Sequence, residues 1–140
     1  MLNTVSFNQR VFWLGYLGIV PLLMATVLVI ADTQKALAID FVKAYGAVIL
    51  TFIGAIHWGR AMSKNDPSLL TVSVWPSLFA SGCLVLSPML AIPLLAAGFV
   101  AVMMFDYRQY SAIEWFRKMR IQLTSMVVFL LMLNVMFMAE

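Results

Sequence analysis

The sequence predicts an all-α integral membrane protein, a bundle of five transmembrane helices with the N-terminus cytoplasmic and the C-terminus outside. Three observations predict it. Hydrophobic residues make up 64% of the chain and charged residues 11%, against about 45–50% and about 25% in soluble globular domains. Four runs, 11–31, 44–59, 67–105 and 121–139, carry no formal charge, and a membrane-spanning helix needs about 20 mostly apolar residues. Most lysines and arginines fall on one side of the spans so defined.

The first predicted helix covers about 11–31. Its apolar run exceeds the roughly 7–15 residues of a signal-peptide core and includes Trp13 and Pro21, so it reads as a retained span. The second covers about 43–62, between Lys43 and Arg60. The run 67–105 would be about 58 Å long as one helix at about 1.5 Å per residue, far beyond a hydrocarbon core of about 30 Å. Ser87–Pro88 divides it, because proline disfavours helix in the residue before it. Two helices result, about 68–86 and 89–105.

In the segment 107–119, Ile113, Phe116 and Met119 fall at helical spacing with charges largely between them. This reads as an amphipathic interfacial segment at headgroup level. It feeds the last helix, about 120–139. The methionines of that helix make no single stripe, so packing explains them better than copper binding. Asn134 is placed to hydrogen-bond a neighbouring helix. Cys83 has no second cysteine to pair with.

Arg10, Arg60, Lys64, Arg108, Arg117, Lys118 and Arg120 share one side, which is seven of the nine basic residues; only Lys35 and Lys43 lie on the other. The positive-inside rule then gives the orientation. The connecting segments are short, so residues 1–140 read as one transmembrane domain. Any chemistry belongs to the bundle or its rims.

Several function classes fall away. One histidine cannot hold a haem between two, and one histidine with one cysteine supplies no zinc set, so no metal site is expected. No phosphate-binding loop is present. No catalytic constellation is complete, which favours a non-enzymatic protein. The spans hold no midplane acid and no internal repeat, which weighs against a transporter or channel. Topology accounts for the basic residues, so nucleic acid is not an expected partner; membrane lipids are.

Polar chemistry converges at AYGAVILTFIGAIHWGR, residues 44–60. Ala47, Leu50, Gly54, His57 and Ala61 form one helical face, with Gly46 and Gly59 beside it. Small residues let helices approach closely in lipid. Gly46, Ala47, Gly54 and Gly59 are therefore expected at helix contacts, which sets His57 against another helix about one turn inside the cytoplasmic rim. Asp106 is the expected partner that would fix the imidazole tautomer, with Arg60 or Arg120 balancing charge. Together with Trp75, which precedes Pro76 inside a span, these give the ligand-binding candidates His57, Arg60, Trp75, Asp106 and Arg120. The competing reading is a structural, hydrogen-bonded interface histidine.

"LGYLGIVPLL" (14–23), "AYGAVILTFIGAIHWG" (44–59), "WPSL" (75–78) and "WFRKMRIQLT" (115–124) occur in this order over most of the chain. Together they resemble the transmembrane protein 69-like family, a domain-of-unknown-function family found in bacteria and mitochondria. Leu22 stands where that family's first motif usually has phenylalanine. By this resemblance Tyr45, Gly46, Gly54, His57, Trp58, Gly59, Asp106, Trp115, Arg120 and Thr124 fall on motif positions. The resemblance implies a small polytopic protein of the bacterial inner membrane, or of the mitochondrial inner membrane in a eukaryote, and implies no reaction. The expected function is an accessory, assembly or interaction factor for a larger inner-membrane complex. The alternative is a binder of a quinone or phospholipid in the cytoplasmic leaflet, through a site around His57.

Overall fold

The structure, a computed structural model, describes residues 2–109 and 114–139, with side chains from residue 7 onward. These residues are helical almost throughout, with no strand among them. The helices are α1 (Leu2–Leu17), α2 (Val20–Ile30), α3 (Lys35–Lys64), α4 (Pro67–Leu84), α5 (Pro88–Gln109) and α6 (Glu114–Met138). α1 and α2 share the first span and each later helix makes one. Five segments among the described residues are thus long and apolar enough to cross a membrane.

The first span is broken where an unbroken helix over 11–31 is expected. Pro21 has no N–H for the Leu17 carbonyl and its ring crowds that carbonyl. The Gly18 N–H still closes an ordinary turn onto Leu14 O at 3.1 Å, but the Ile19 N–H tightens onto Tyr16 O at 3.0 Å. The Tyr45 hydroxyl of α3 donates to Gly18 O at 2.8 Å and so pins the break.

Other boundaries also differ. α3 starts at Lys35 rather than 43, α5 continues to Gln109 rather than 105, and α6 starts at Glu114 rather than 120. Charges mark where the apolar run stops, not where the hydrogen-bond ladder stops, so polar turns extend each helix beyond its span. Of the expected interfacial segment 107–119, residues 110–113 lie outside the described residues. Its flanks belong to α5 and α6.

The turns carry clear local chemistry. α3 ends at Asn65 in the left-handed region, φ 53°, a conformation asparagine tolerates well. Asp66 then caps α4, its Oδ1 accepting from Ser68 N at 3.0 Å and Leu69 N at 3.1 Å. Pro67 occupies the first turn of α4, where no N–H is needed. At the far end Lys43 Nζ lies 3.3 Å from both Leu84 O and Leu86 O, donating to carbonyls left open where α4 stops. Pro88 opens α5 close to the expected position.

α3 is central and packs against α2, α4, α5 and α6, most extensively against α4. Leu22, Val42, Leu50, Ile92, Leu95 and Leu131 form a fully buried core. The outer surface is apolar as well: Trp13, Met24, Phe52, Trp75 and Phe129 are all exposed. Patches of this extent are rare on water-facing monomers and ordinary against lipid, so this is a multi-pass membrane protein. Asn134, fully buried, donates from Nδ2 to Thr26 Oγ1 and Leu130 O, both at 2.8 Å, and ties α6 to α2.

Candidate functional site

The site starts from a glycine. A Cβ placed on Gly54 would lie 2.8 Å from Ser73 O and 3.3 Å from Pro76 Cβ. Only glycine lets α3 and α4 meet this closely. One turn later on the same face stands His57, 2% exposed. Asp106, 3% exposed, comes from the last turns of α5, and Arg120, 9% exposed, from the early turns of α6.

These three side chains form one buried ionic chain across three helices. His57 Nε2 lies 2.8 Å from Asp106 Oδ1. Arg120 donates to the other oxygen, from Nε at 2.9 Å and also from Nη2. A buried carboxylate is costly unless it is paired and hydrogen-bonded, and here both of its oxygens are engaged. The 2.8 Å contact holds the Nε2 edge of the imidazole against the carboxylate and so fixes the orientation of the ring. The Phe105 ring meets the imidazole edge-on, with centroids 5.3 Å apart.

His57 also lines an open groove of about 520 Å³ between α3, α4 and α5. Trp75, Pro76, Phe79, Leu94, Ala101 and Phe105 supply much of its wall. The volume lies within the roughly 300–1,000 Å³ of small-molecule sites, which pair apolar walls with a few placed polar groups. Chemically the site offers an apolar and aromatic wall, one imidazole, and a buried carboxylate and guanidinium behind it.

The structure brings His57, Asp106 and Arg120 together, and places Trp75 on the same groove as His57, 64% exposed at its edge. Arg60 does not join them; its Nη2 donates to Gln109 O at 2.9 Å, at the end of α5. Arg120 is therefore the arginine that balances Asp106. Among the expected packing residues, Gly54 touches α4, Ala47 is buried, and Gly46 faces Leu95 and Leu131 at ordinary distances. Gly59 departs from expectation: a Cβ there would meet nothing within 4 Å, because its side of α3 faces outward. Sequence reasoning missed Phe79, Phe105 and Gly98. A Cβ on Gly98 would lie 2.8 Å from Phe79 Cε1, so this glycine makes room for the groove wall. Its signal was a lone glycine in an apolar run, which does not say what it faces. Among the described residues no group of histidine, cysteine and acidic side chains is arranged to hold a metal.

Comparison with known proteins bears on the whole chain. Transmembrane protein 69 of Xenopus tropicalis is 30% identical over 126 residues, which cover 84% of this chain and 50% of that protein. The chain thus spans half the length of this curated relative. No solved structure matches it. The model of a family described as "Protein of unknown function (DUF3429)" matches residues 7–136, nearly the full length, and the chain belongs to that family.

Proposed function

We propose that this protein binds a small amphiphile, a quinone or a lipid, in the groove between α3, α4 and α5, with His57 meeting its polar head. The observation that carries the reading is an imidazole backed by a buried carboxylate and opening onto an apolar groove. Trp75, Phe79 and Phe105 offer ring faces and edges to a flat or chain-like apolar body. Asp106 orients the imidazole, and Arg120 sets a counter-charge against Asp106. The basic residues gathered at this end of the bundle support an orientation with the N-terminus and the groove's polar end cytoplasmic. They equally support residence in a bacterial or mitochondrial inner membrane.

Gently purified protein, extracted and analysed by mass spectrometry, tests the reading. Ala101 is exposed, lines the groove and stands apart from the ionic chain. Wild type should retain a specific amphiphile, His57→Ala should retain less, and Ala101→Trp should lose it while staying folded. Equal ligand content in all three proteins would refute the proposal.

A second reading, an accessory role in a larger membrane complex, is favoured by one observation. Ala55 and Gly59 are both exposed on α3 at a spacing of one turn, and among the described residues nothing lies within 4 Å of a Cβ placed on Gly59. Such a pair permits close approach of a helix from another chain. Under this reading Gly59→Leu abolishes co-purification of a fixed partner and leaves the isolated chain's stability unchanged. Retention of that partner by Gly59→Leu would count against it.

A further inference from the structure

A second groove of about 260 Å³ lies between the first span, α3 and α6, away from the first groove. Leu14, Val48 and Phe52 stand exposed at its edge. Its wall is apolar apart from a few groups, and two of these converge. Arg120 lines it, and its guanidinium has N–H groups beyond the two that meet Asp106. Thr124 lines it one helical turn further along α6, 5% exposed. Arginine carries five N–H donors in a fixed fork. Nε and Nη2 reach Asp106 Oδ2; no other N–H of Arg120 makes a hydrogen bond among the described residues, and neither does the Thr124 hydroxyl. Donors in an apolar setting without acceptors are costly.

From this pairing of unmet donors and an apolar trough we infer that the second groove is a binding site for a long-chain carboxylate, with Arg120 and Thr124 holding its head. A carboxylate presents two oxygens in one plane, which suits the end of a guanidinium fork. It is small enough for a recess in which Arg120 is only 9% exposed. The groove, about 260 Å³, suits a single acyl chain better than the two of a phospholipid. The site stands on its own residues and does not depend on an occupant in the first groove.

Native mass spectrometry and thermal shift on the full chain in an uncharged detergent test it, with palmitate and its methyl ester as probes. Palmitate should bind and stabilise the wild type, and the ester, which lacks the charge, should not. Thr124→Val, which keeps the side-chain shape, should weaken palmitate about tenfold or more, the worth of one hydrogen bond to a charged group. Val48→Trp fills the groove from its exposed edge without touching Arg120 and should abolish binding. Ala101→Trp, which fills the first groove, should leave palmitate binding intact. Equal binding of ester and acid would overturn the inference. So would persistence in Val48→Trp, loss in Ala101→Trp alone, or a stably retained phospholipid that palmitate cannot displace.

Discussion

Replacing Asp106 with asparagine tests the ionic chain most directly. The amide keeps the side-chain shape and loses the charge. It must then turn an NH₂ toward either the His57 Nε2 side or the Arg120 fork, where donors already point. Arg120, nine-tenths buried, is left without its counter-charge. Removing one partner of a buried pair costs about 3–5 kcal/mol. At about 2–4 °C per kcal/mol, the fall in Tm is on the order of 10 °C. Circular dichroism of the protein in micelles, heated with and without the substitution, measures it. A triple variant, His57→Phe with Asp106→Leu and Arg120→Met, removes every charge at once and should recover much of the loss, because no unpaired charge remains. The reasoning fails if Asp106→Asn changes stability by less than about 0.5 kcal/mol, the usual range of surface substitutions. It also fails if the triple variant is as unstable as the single one.

Two further outcomes follow from local geometry. Gly54→Ala should destabilise by about 1–3 kcal/mol, the usual cost of overpacking, because its Cβ would stand 2.8 Å from Ser73 O; Gly59→Ala, with nothing within 4 Å, should be neutral in the same melting experiment. Asp66 has its carboxyl held below the ordinary 3.8, chiefly by the Ser68 hydroxyl and then by the Leu69 N–H. A lowered value means the cap stabilises α4 fully above the ordinary carboxylate range and stops doing so as pH falls through the lowered value. Amide protection at the start of α4, taken relative to the intrinsic exchange rate at each pH, should therefore fall on acidification below 3.8, and Asp66→Asn should remove that dependence.

The spans were legible because lipid imposes a requirement on composition that water does not. The uncharged runs and Ser87–Pro88 locate the spans, and the asymmetry of the arginines and lysines matches their number. The break at Gly18–Ile19 was not legible. Pro21 announces a disturbance, but the chain resolves it with Gly18 and with Tyr45 from a different helix, and no local pattern reports that partner. His57 and Asp106 could be paired because both lie toward the ends of their helices that the basic residues mark. Choosing Arg120 over Arg60 needed the rotation of α5 and α6 about their axes, which a uniformly apolar helix does not encode. Gly59 shows the same limit from the other side. It resembles Gly54 in sequence, yet the two point in different directions around α3, and among the described residues Gly54 alone of the pair would set a Cβ against another helix.

The first groove opens between the middles of its helices rather than at their ends. Val72, Trp75 and Leu94 stand exposed at its edge, half-way along α4 and part-way along α5. Its mouth therefore gives onto hydrocarbon. A molecule that enters arrives by lateral diffusion, and its occupancy follows its mole fraction in the bilayer, not its concentration in water. A compound too insoluble to measure in buffer could saturate this groove in a membrane and leave it when excess detergent dilutes the lipid.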